Sequence, residues 1–298
     1  MSAFENPPEL ETLTDYVRWT ASRFGASDIY FGHGTDNAVD EALALVLGGL
    51  VLEPGLPSEL YAGRLTQEEK DRLAGYVHRR ISERVPTAYI TNRAWFANIE
   101  FYVDERVLVP RSPIAELIEN EFTPWTSSDY VGRVLEIGTG SGCIAVACAF
   151  AFPDAEIDAL DISEEAIAVA TRNVEYHGVD SQVNCRVSDL YAAATGTYDL
   201  IVTNPPYVDR ETLDWLPDEY RAEPRVALDG GDDGLAFVHR ILYEAPTYLA
   251  PEGLLVVEVG EAREALLEAY PDAPFTWCEF SRGGDDVFVL TREQLLED

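Results

Sequence analysis

Positive charge is what this sequence has least of. Lys and Arg together number 21 of 298 residues against 54 Asp and Glu, a formal net charge of -33, and Lys70 is the sole lysine. Proteins that hold bare nucleic acid usually neutralise its phosphates with Lys and Arg, so a surface of this sign argues against that class of partner for most of the chain. Long apolar runs are also missing. The longest, Leu43 to Leu52, falls far short of the ~20 residues a membrane helix needs. Met1-Ser2-Ala3-Phe4-Glu5 lacks the basic and apolar regions of a secretion signal. A cytoplasmic protein with no membrane contact is the expectation. Cysteine and histidine are sparse at four each. Cys143, Cys148, Cys185 and Cys278 show no C-x-x-C spacing, which points to reduced, structural thiols, and the scattered histidines suggest no metal site.

An apolar content of 47% is ample for a sizeable core. The charge is unevenly shared. Residues 1–112 hold 11 basic and 17 acidic side chains, net -6, whereas residues 113–298 hold 10 and 37, net -27. Arg72, Arg79, Arg80, Arg84 and Arg93 concentrate the positive surface of the first part. Two readings stay open for them: a solvated helix face, or a contact surface for an RNA-rich partner such as ribosomal RNA.

The first ninety residues carry helical periodicity. Leu10 to Phe24 and Asn37 to Leu47 repeat apolar residues every three or four positions, and Thr66-Gln67-Glu68-Glu69 is a capping box opening a third helix. Residues 1–92 are thus expected to form a small helical domain. Ala94-Trp95-Phe96 and Ile99 to Val103 flank Ala97-Asn98 as a β-hairpin would, which makes residues 93–112 a connector. From residue 113 to 298 strands and helices alternate. Strands are expected at Val134 to Ile137, Ile157 to Leu160, Val183 to Val187, Leu200 to Thr203 and Leu254 to Val259. The helices between them run from Pro113 to Phe122, Cys143 to Phe150, Ser163 to His177 and Leu235 to Leu249. This alternation predicts an α/β, Rossmann-like, mainly parallel sheet. Phe275 to Phe280 and Asp286 to Leu290, joined through Arg282-Gly283-Gly284, predict an antiparallel hairpin at its edge.

The first of those strands runs directly into Gly138-Thr139-Gly140-Ser141-Gly142 and a helix. Alternate glycines let backbone turn sharply and approach a ligand closely. Alone this is a weak signal, and its G-x-G-x-G spacing differs from the dinucleotide fingerprint. Asp161 ends the next strand, where a carboxylate can accept both hydroxyls of a ribose; Asp189 ends the third, within reach of an adenine amine. Singly, each Asp reads as a helix-start or turn residue. Three successive strand ends carrying a Gly loop, Asp and Asp are better explained by one adenosine ligand, and here residues 113–298 resemble the class I S-adenosylmethionine-dependent methyltransferases.

Asn204-Pro205-Pro206-Tyr207 follows the fourth strand, at the same edge. A planar NH2 is a poor nucleophile because its lone pair is delocalised. Asn204 Oδ1 and the Pro205 carbonyl can each accept one of its N–H groups, and Tyr207 offers a face for stacking. The prolines stiffen the loop and add no competing N–H. A plain turn is the bland alternative.

This quartet resembles that of enzymes methylating adenine, guanine or glutamine NH2 groups. With the helical start, the hairpin, Val109-Pro110-Arg111, Glu223-Pro224, Ala227-Leu228 and Asp233-Gly234-Leu235, nearly the whole chain resembles the HemK/PrmB family of N5-glutamine methyltransferases. Where release-factor enzymes read Pro-Arg-Pro-x-Thr-Glu, this chain has Pro110-Arg111-Ser112-Pro113-Ile114-Ala115-Glu116. Together with Tyr30 to Asn37 and Asn92 to Phe96, that looks like the branch whose members methylate a glutamine of the large-subunit ribosomal protein L-three, free or in an assembling subunit. The resemblance implies S-adenosyl-L-methionine as cofactor, with Glu136, Gly138, Thr139, Gly140, Ser141, Gly142, Asp161, Ile162, Asp189, Leu190 and Asn204 around it. It places the target on Asn204, Pro205, Pro206, Tyr207 and Arg111. Leu190 stands where release-factor enzymes often have an aromatic residue. Release-factor methylation, nucleic-acid amine methylation and a non-catalytic adenosine-binding or ribosome-assembly module are the competing readings. The second lacks an inserted target-recognition domain, and the third leaves the intact quartet beside Asp161 without a purpose.

So acidic a surface also resembles those of proteins from salt-loving organisms, where hydrated carboxylates maintain solubility in brine. If it is such an adaptation, the melting temperature rises from low to molar salt; a flat or falling profile in scanning calorimetry counts against it.

Overall fold

The computed structural model describes residues 7, 9–126, 131–281 and 283–297, so Met1 to Glu5 and Arg282, both invoked above, lie outside the described residues. The chain divides into two compact units. One comprises Met1–Ala94, Val103–Glu105 and Pro217–Ala222; the other comprises Trp95–Tyr102, Arg106–Leu216 and Glu223–Asp298.

The first unit is built on α1 (Leu13–Gly25), α2 (Ala38–Gly49), α3 (Gln67–Ser82) and α4 (Thr87–Thr91). Its helix starts follow local chemistry. Thr12 with Asp15, and Thr66 with Glu69, form capping boxes at α1 and α3, and the Asn37 side chain accepts the Val39 and Asp40 N–H groups at α2. Their apolar stripes meet through Tyr16, Phe24, Leu45, Val46, Leu73 and Val77. Arg80, expected on the positive surface, lies inside instead, 1% exposed. It is bonded to the Glu41 carboxylate, to Glu219 Oε1 at 3.0 Å and to the Tyr30 carbonyl at 2.6 Å. The cause is the pair of buried carboxylates, which need a cation where water is excluded. Burial works against ionisation of Glu219, but the Tyr30 N–H and Arg80 outweigh it and hold its pKa below the usual carboxylate range. Arg93 is likewise largely covered and donates to the Leu52 carbonyl. Arg72, Arg79 and Arg84 have carboxylate partners in Glu68, Glu83 and Glu219.

In the second unit, the hairpin pairs β1 (Ala94–Phe96) with β2 (Ile99–Phe101). Ala97 and Asn98 both take positive φ, the conformation that two-residue hairpin turns require. Next come α5 (Ile114–Glu119), β3 (Arg133–Ile137), α6 (Cys143–Ala151), β4 (Glu156–Asp161), α7 (Glu164–His177), β5 (Val183–Val187) and β6 (Tyr198–Thr203). The chain continues as α8 (Arg210–Leu213), α9 (Ala236–Tyr248), β7 (Leu249–Glu258), α10 (Arg263–Ala269), β8 (Thr276–Trp277) and β9 (Val287–Thr291). The helix expected to reach Phe122 stops at Glu119, because Glu121 and Phe122 turn to positive φ.

Seven strands form one sheet in the order β5-β4-β3-β6-β7-β9-β8. Pairing is parallel from β5 through β7 and antiparallel at β9 and β8. The strands are apolar on both faces because both are covered. Val134, Leu200, Val202 and Val256 join one core cluster, while Leu135, Ile201, Leu255 and Val257 join the other. From β3 the chain moves outward through β4 and β5, then returns to the far side of β3 as β6. That reversal leaves a crevice at the carboxyl ends of β3 and β6, where open α/β sheets bind ligands. Among the described residues no helix is long and apolar enough to cross a membrane.

Replacing Arg80 by Met leaves the Glu41 carboxylate buried without its cation and Glu219 with Arg84 alone. We expect urea titration followed by circular dichroism to show a loss of about 3–5 kcal/mol in the stability of the helical unit. The loss shrinks as pH falls through the carboxylate range, because the depressed pKa of Glu219 means its stabilisation is lost on protonation.

Candidate functional site

Parallel register brings four loops to one edge. Ile137 pairs with both Leu160 and Thr203, and Asp161 pairs with Val187, so β3, β4, β5 and β6 end together. The Thr203 hydroxyl donates to the Ile137 carbonyl at 2.8 Å, tying the strand ends that lead into Gly138 and Asn204.

Gly138, Gly140 and Gly142 all have positive φ, so the turn after β3 needs glycine at each alternate position. Gly138 and Thr139 donate their N–H groups to the Leu160 carbonyl at 2.8 and 2.9 Å. Asp161 then grips the turn from the neighbouring strand. Its Oδ2 accepts the Gly140 N–H and its Oδ1 the Ser163 N–H, each at 2.9 Å. Burial raises the Asp161 pKa, and these N–H groups oppose the rise.

A cavity opens above this edge. Gly138, Gly140, Asp161, Ile162, Asp189 and Leu190 line it on one side, and Asn204, Pro205 and Pro206 on the other. These nine of the residues singled out in the sequence come together. Pro224 and Ala227, from the motifs behind the quartet, line it too, whereas Glu136, Thr139, Ser141, Gly142, Tyr207 and Arg111 do not. Glu136 lies beneath the loop, 1% exposed, where its carboxylate accepts the Thr139 hydroxyl at 2.5 Å and the Ala145 N–H at 2.9 Å. It braces the turn. Burial, foremost, pushes its pKa up to about 8, with Asp161 adding to the rise and the two donors opposing it. Thr139 and Ser141 are buried with it, and Gly142 forms the N-cap of α6, against Ala170.

Three expectations acquire different partners. Asp189 is paired with Arg240 at 2.9 Å, so its reach toward an adenine amine is shared with a guanidinium. Arg111, expected against the target, makes a two-pronged bond to Glu223 at 2.7 and 2.8 Å. The side chain of Glu223 is fully covered and also accepts the Val109 N–H, so this carboxylate draws in a cation. Tyr207 borders a neighbouring hollow with Arg111, Ser112 and Glu258.

Residues that linear reasoning missed complete the wall: Arg106, Val107, Leu108, Val226 and Phe237. Phe237 supplies an aromatic ring beside Leu190, in place of one following Asp189. Its signal was the aromatic lying two residues beyond Asp233-Gly234-Leu235.

A profile of the methyltransferase small domain matches residues 122–215. A ribosomal protein uL3 glutamine methyltransferase of Francisella tularensis subsp. tularensis is 48% identical over 97% of this chain and 92% of its own length. Another of that name, from Neisseria meningitidis serogroup B, is 46% identical over 97% of this chain and 95% of its own. The chain belongs to this family of glutamine methyltransferases. Among solved structures, the catalytic domain of hMettl16 in complex with a MAT2A 3'UTR hairpin aligns over 76% of this chain and 81% of that one. With a TM-score of 0.51 and 16% identity, it shows a shared methyltransferase fold alone.

Glu136→Gln keeps an acceptor for both donors and removes the ionisation. A carboxyl whose pKa is raised on folding stabilises the fold below the usual carboxylate range and loses that contribution as pH climbs to about 8. The unfolding free energy of this methyltransferase variant, relative to the parent, should therefore increase between about pH 4.5 and pH 8 and level off above; a constant difference in denaturant titrations contradicts the assignment.

Proposed function

We propose that this chain transfers the methyl group of S-adenosyl-L-methionine to the side-chain amide nitrogen of a glutamine in ribosomal protein uL3, in the cytoplasm. One observation carries the chemistry: Asn204, Pro205 and Pro206 share a cavity with the glycine turn and Asp161. The target rests on the names of relatives 46% and 48% identical over 97% of the chain.

The residues fit an adenosine-bearing donor. Each Asp161 oxygen uses one lone pair on a backbone N–H and keeps another for a hydroxyl. Ile162, Leu190 and Phe237 supply apolar surface for a flat base. Such a donor supplies an electrophilic methyl on sulfur. The chain's own residues do the rest. Asn204 Oδ1 and the Pro205 carbonyl accept the two N–H groups of the target amide, which orients its nitrogen and enriches its electron density. Neither Pro205 nor Pro206 has an N–H to compete. Positioning of this kind supplies much of a displacement's rate.

Incubation of the protein with labelled cofactor and ribosomal proteins, release factors or nucleic acid, followed by mass spectrometry, should place the label on a uL3 glutamine. Label on a release factor or an RNA base contradicts the reading. Asn204→Ala should lower turnover about 100-fold with cofactor affinity in calorimetry retained, as loss of a polarising group does.

A further inference from the structure

Tyr207 is the member of the quartet that does not line the main cavity; it borders the neighbouring hollow instead. Its ring packs against the chain at Gly260, where a β-carbon would stand 2.2 Å from Cε2. Its backbone is close to Gly230 and Gly234, where a β-carbon would stand 2.8 and 2.3 Å from it. Glu258, at the end of β7 and 4% exposed, closes the arrangement. One of its oxygens accepts the Tyr207 hydroxyl at 3.4 Å, and the other accepts the Ser112 hydroxyl. Ser112 Oγ accepts the Ile114 N–H at 3.2 Å, where α5 begins. A single buried carboxylate thus joins the quartet to the segment that follows Arg111.

Two hydroxyl donors, one on each oxygen, is the pattern an ionised carboxylate accepts; a protonated one presents a competing O–H. We propose that Glu258 in its ionised form is a positioning residue for methyl transfer, holding Tyr207 against Gly260 and thereby fixing the adjoining Asn204-Pro205-Pro206 loop that orients the target amide. This deepens the function proposed above and rests on it. The charged and titratable groups facing Glu258 are Asp286, Tyr207 and Arg111. Burial, foremost, and Asp286 favour protonation; Ser112, Tyr207 and Arg111 oppose it, and the balance lies at about 7. The ionised form, and with it the seat of Tyr207, is accordingly lost as pH falls through neutrality.

The test compares the full chain with Glu258→Gln, Tyr207→Phe and the double variant, measuring kcat and KM for uL3 from pH 5.5 to 9 after thermal melts show each is folded. The parent should lose kcat on the acid side with a midpoint near pH 7. Glu258→Gln should have kcat about 10-fold lower, with KM changed less than about twofold and that acid limb absent, as expected for a residue acting through a neighbour. The double variant should be no slower than Tyr207→Phe. A Glu258→Gln enzyme with the parent's acid limb and near-parent kcat, or losses that multiply in the double variant, overturns the proposal. If Glu258→Gln does not fold, Tyr207→Phe decides: its acid limb should vanish, and persistence overturns the proposal. A parent that labels no uL3 refutes the functional reading instead. In that event the 13C ring shift of Tyr207 in the free protein should titrate near pH 7 in the parent and stay flat in Glu258→Gln; a shift that does not titrate in the parent, or titrates equally in both, overturns the positioning role.

Discussion

Where β3 and β6 run side by side, the Thr203 hydroxyl donates to the Ile137 carbonyl, and the two strands stop at the same level. Every other feature of the site depends on that coincidence. The next residue of one strand is Gly138 and of the other Asn204, so the glycine turn and the quartet leave the sheet as neighbours. A slip of one residue in this register would turn alternate side chains of β6 from one core to the other, placing Thr203 in the apolar layer now held by Val202. The two-sided burial of Leu200, Ile201 and Val202 therefore protects the geometry of this cavity edge as well as the fold.

Scarcity of cations shapes how the buried acids behave. Glu41 and Glu219 share Arg80, and Glu223 takes Arg111, so these carboxylates are matched with charge. Among the described residues Glu136 has hydrogen-bond donors and no cation as partners, and its pKa is pushed up to about 8. Glu258 is intermediate, with two hydroxyls and the influence of Arg111 against Asp286, and its pKa lies at about 7. Burial in a low-dielectric interior raises a carboxyl pKa where no paired guanidinium offsets it. Both raised carboxyls lie near the sheet edge, Glu136 under the glycine turn and Glu258 against Tyr207.

Much of this was visible in the linear pattern. The Thr66 capping box and the helix expected from Asn37 mark real helix starts, the β3 to β6 strands fall within two residues of their expected bounds, and the glycine turn, Asp161 and Asn204 to Pro206 reach one cavity. These are signals carried within a few residues: a hydrogen-bonding cap, a period, a turn that demands positive φ. What was misread depends on distant partners. Arg80 sits in a helical charge run like any solvated arginine, and Arg111 sits in a motif near the quartet. Each is claimed by a carboxylate more than a hundred residues away, Glu219 and Glu223 respectively.

The order of strands and helices and the expectation of a parallel sheet were settled by residue type and spacing alone, because backbone preference is local. Which side chains face the ligand was decided only by tertiary packing. Glu136, Tyr207 and Arg111 have the right chemistry at the right place in the chain, yet burial turns them to other partners. Phe237 lines the cavity from α9, just beyond the Asp233-Gly234-Leu235 motif, though spacing alone gave no reason to aim it there. A side chain's direction is set by which neighbours exclude water from it, and those neighbours come from across the fold.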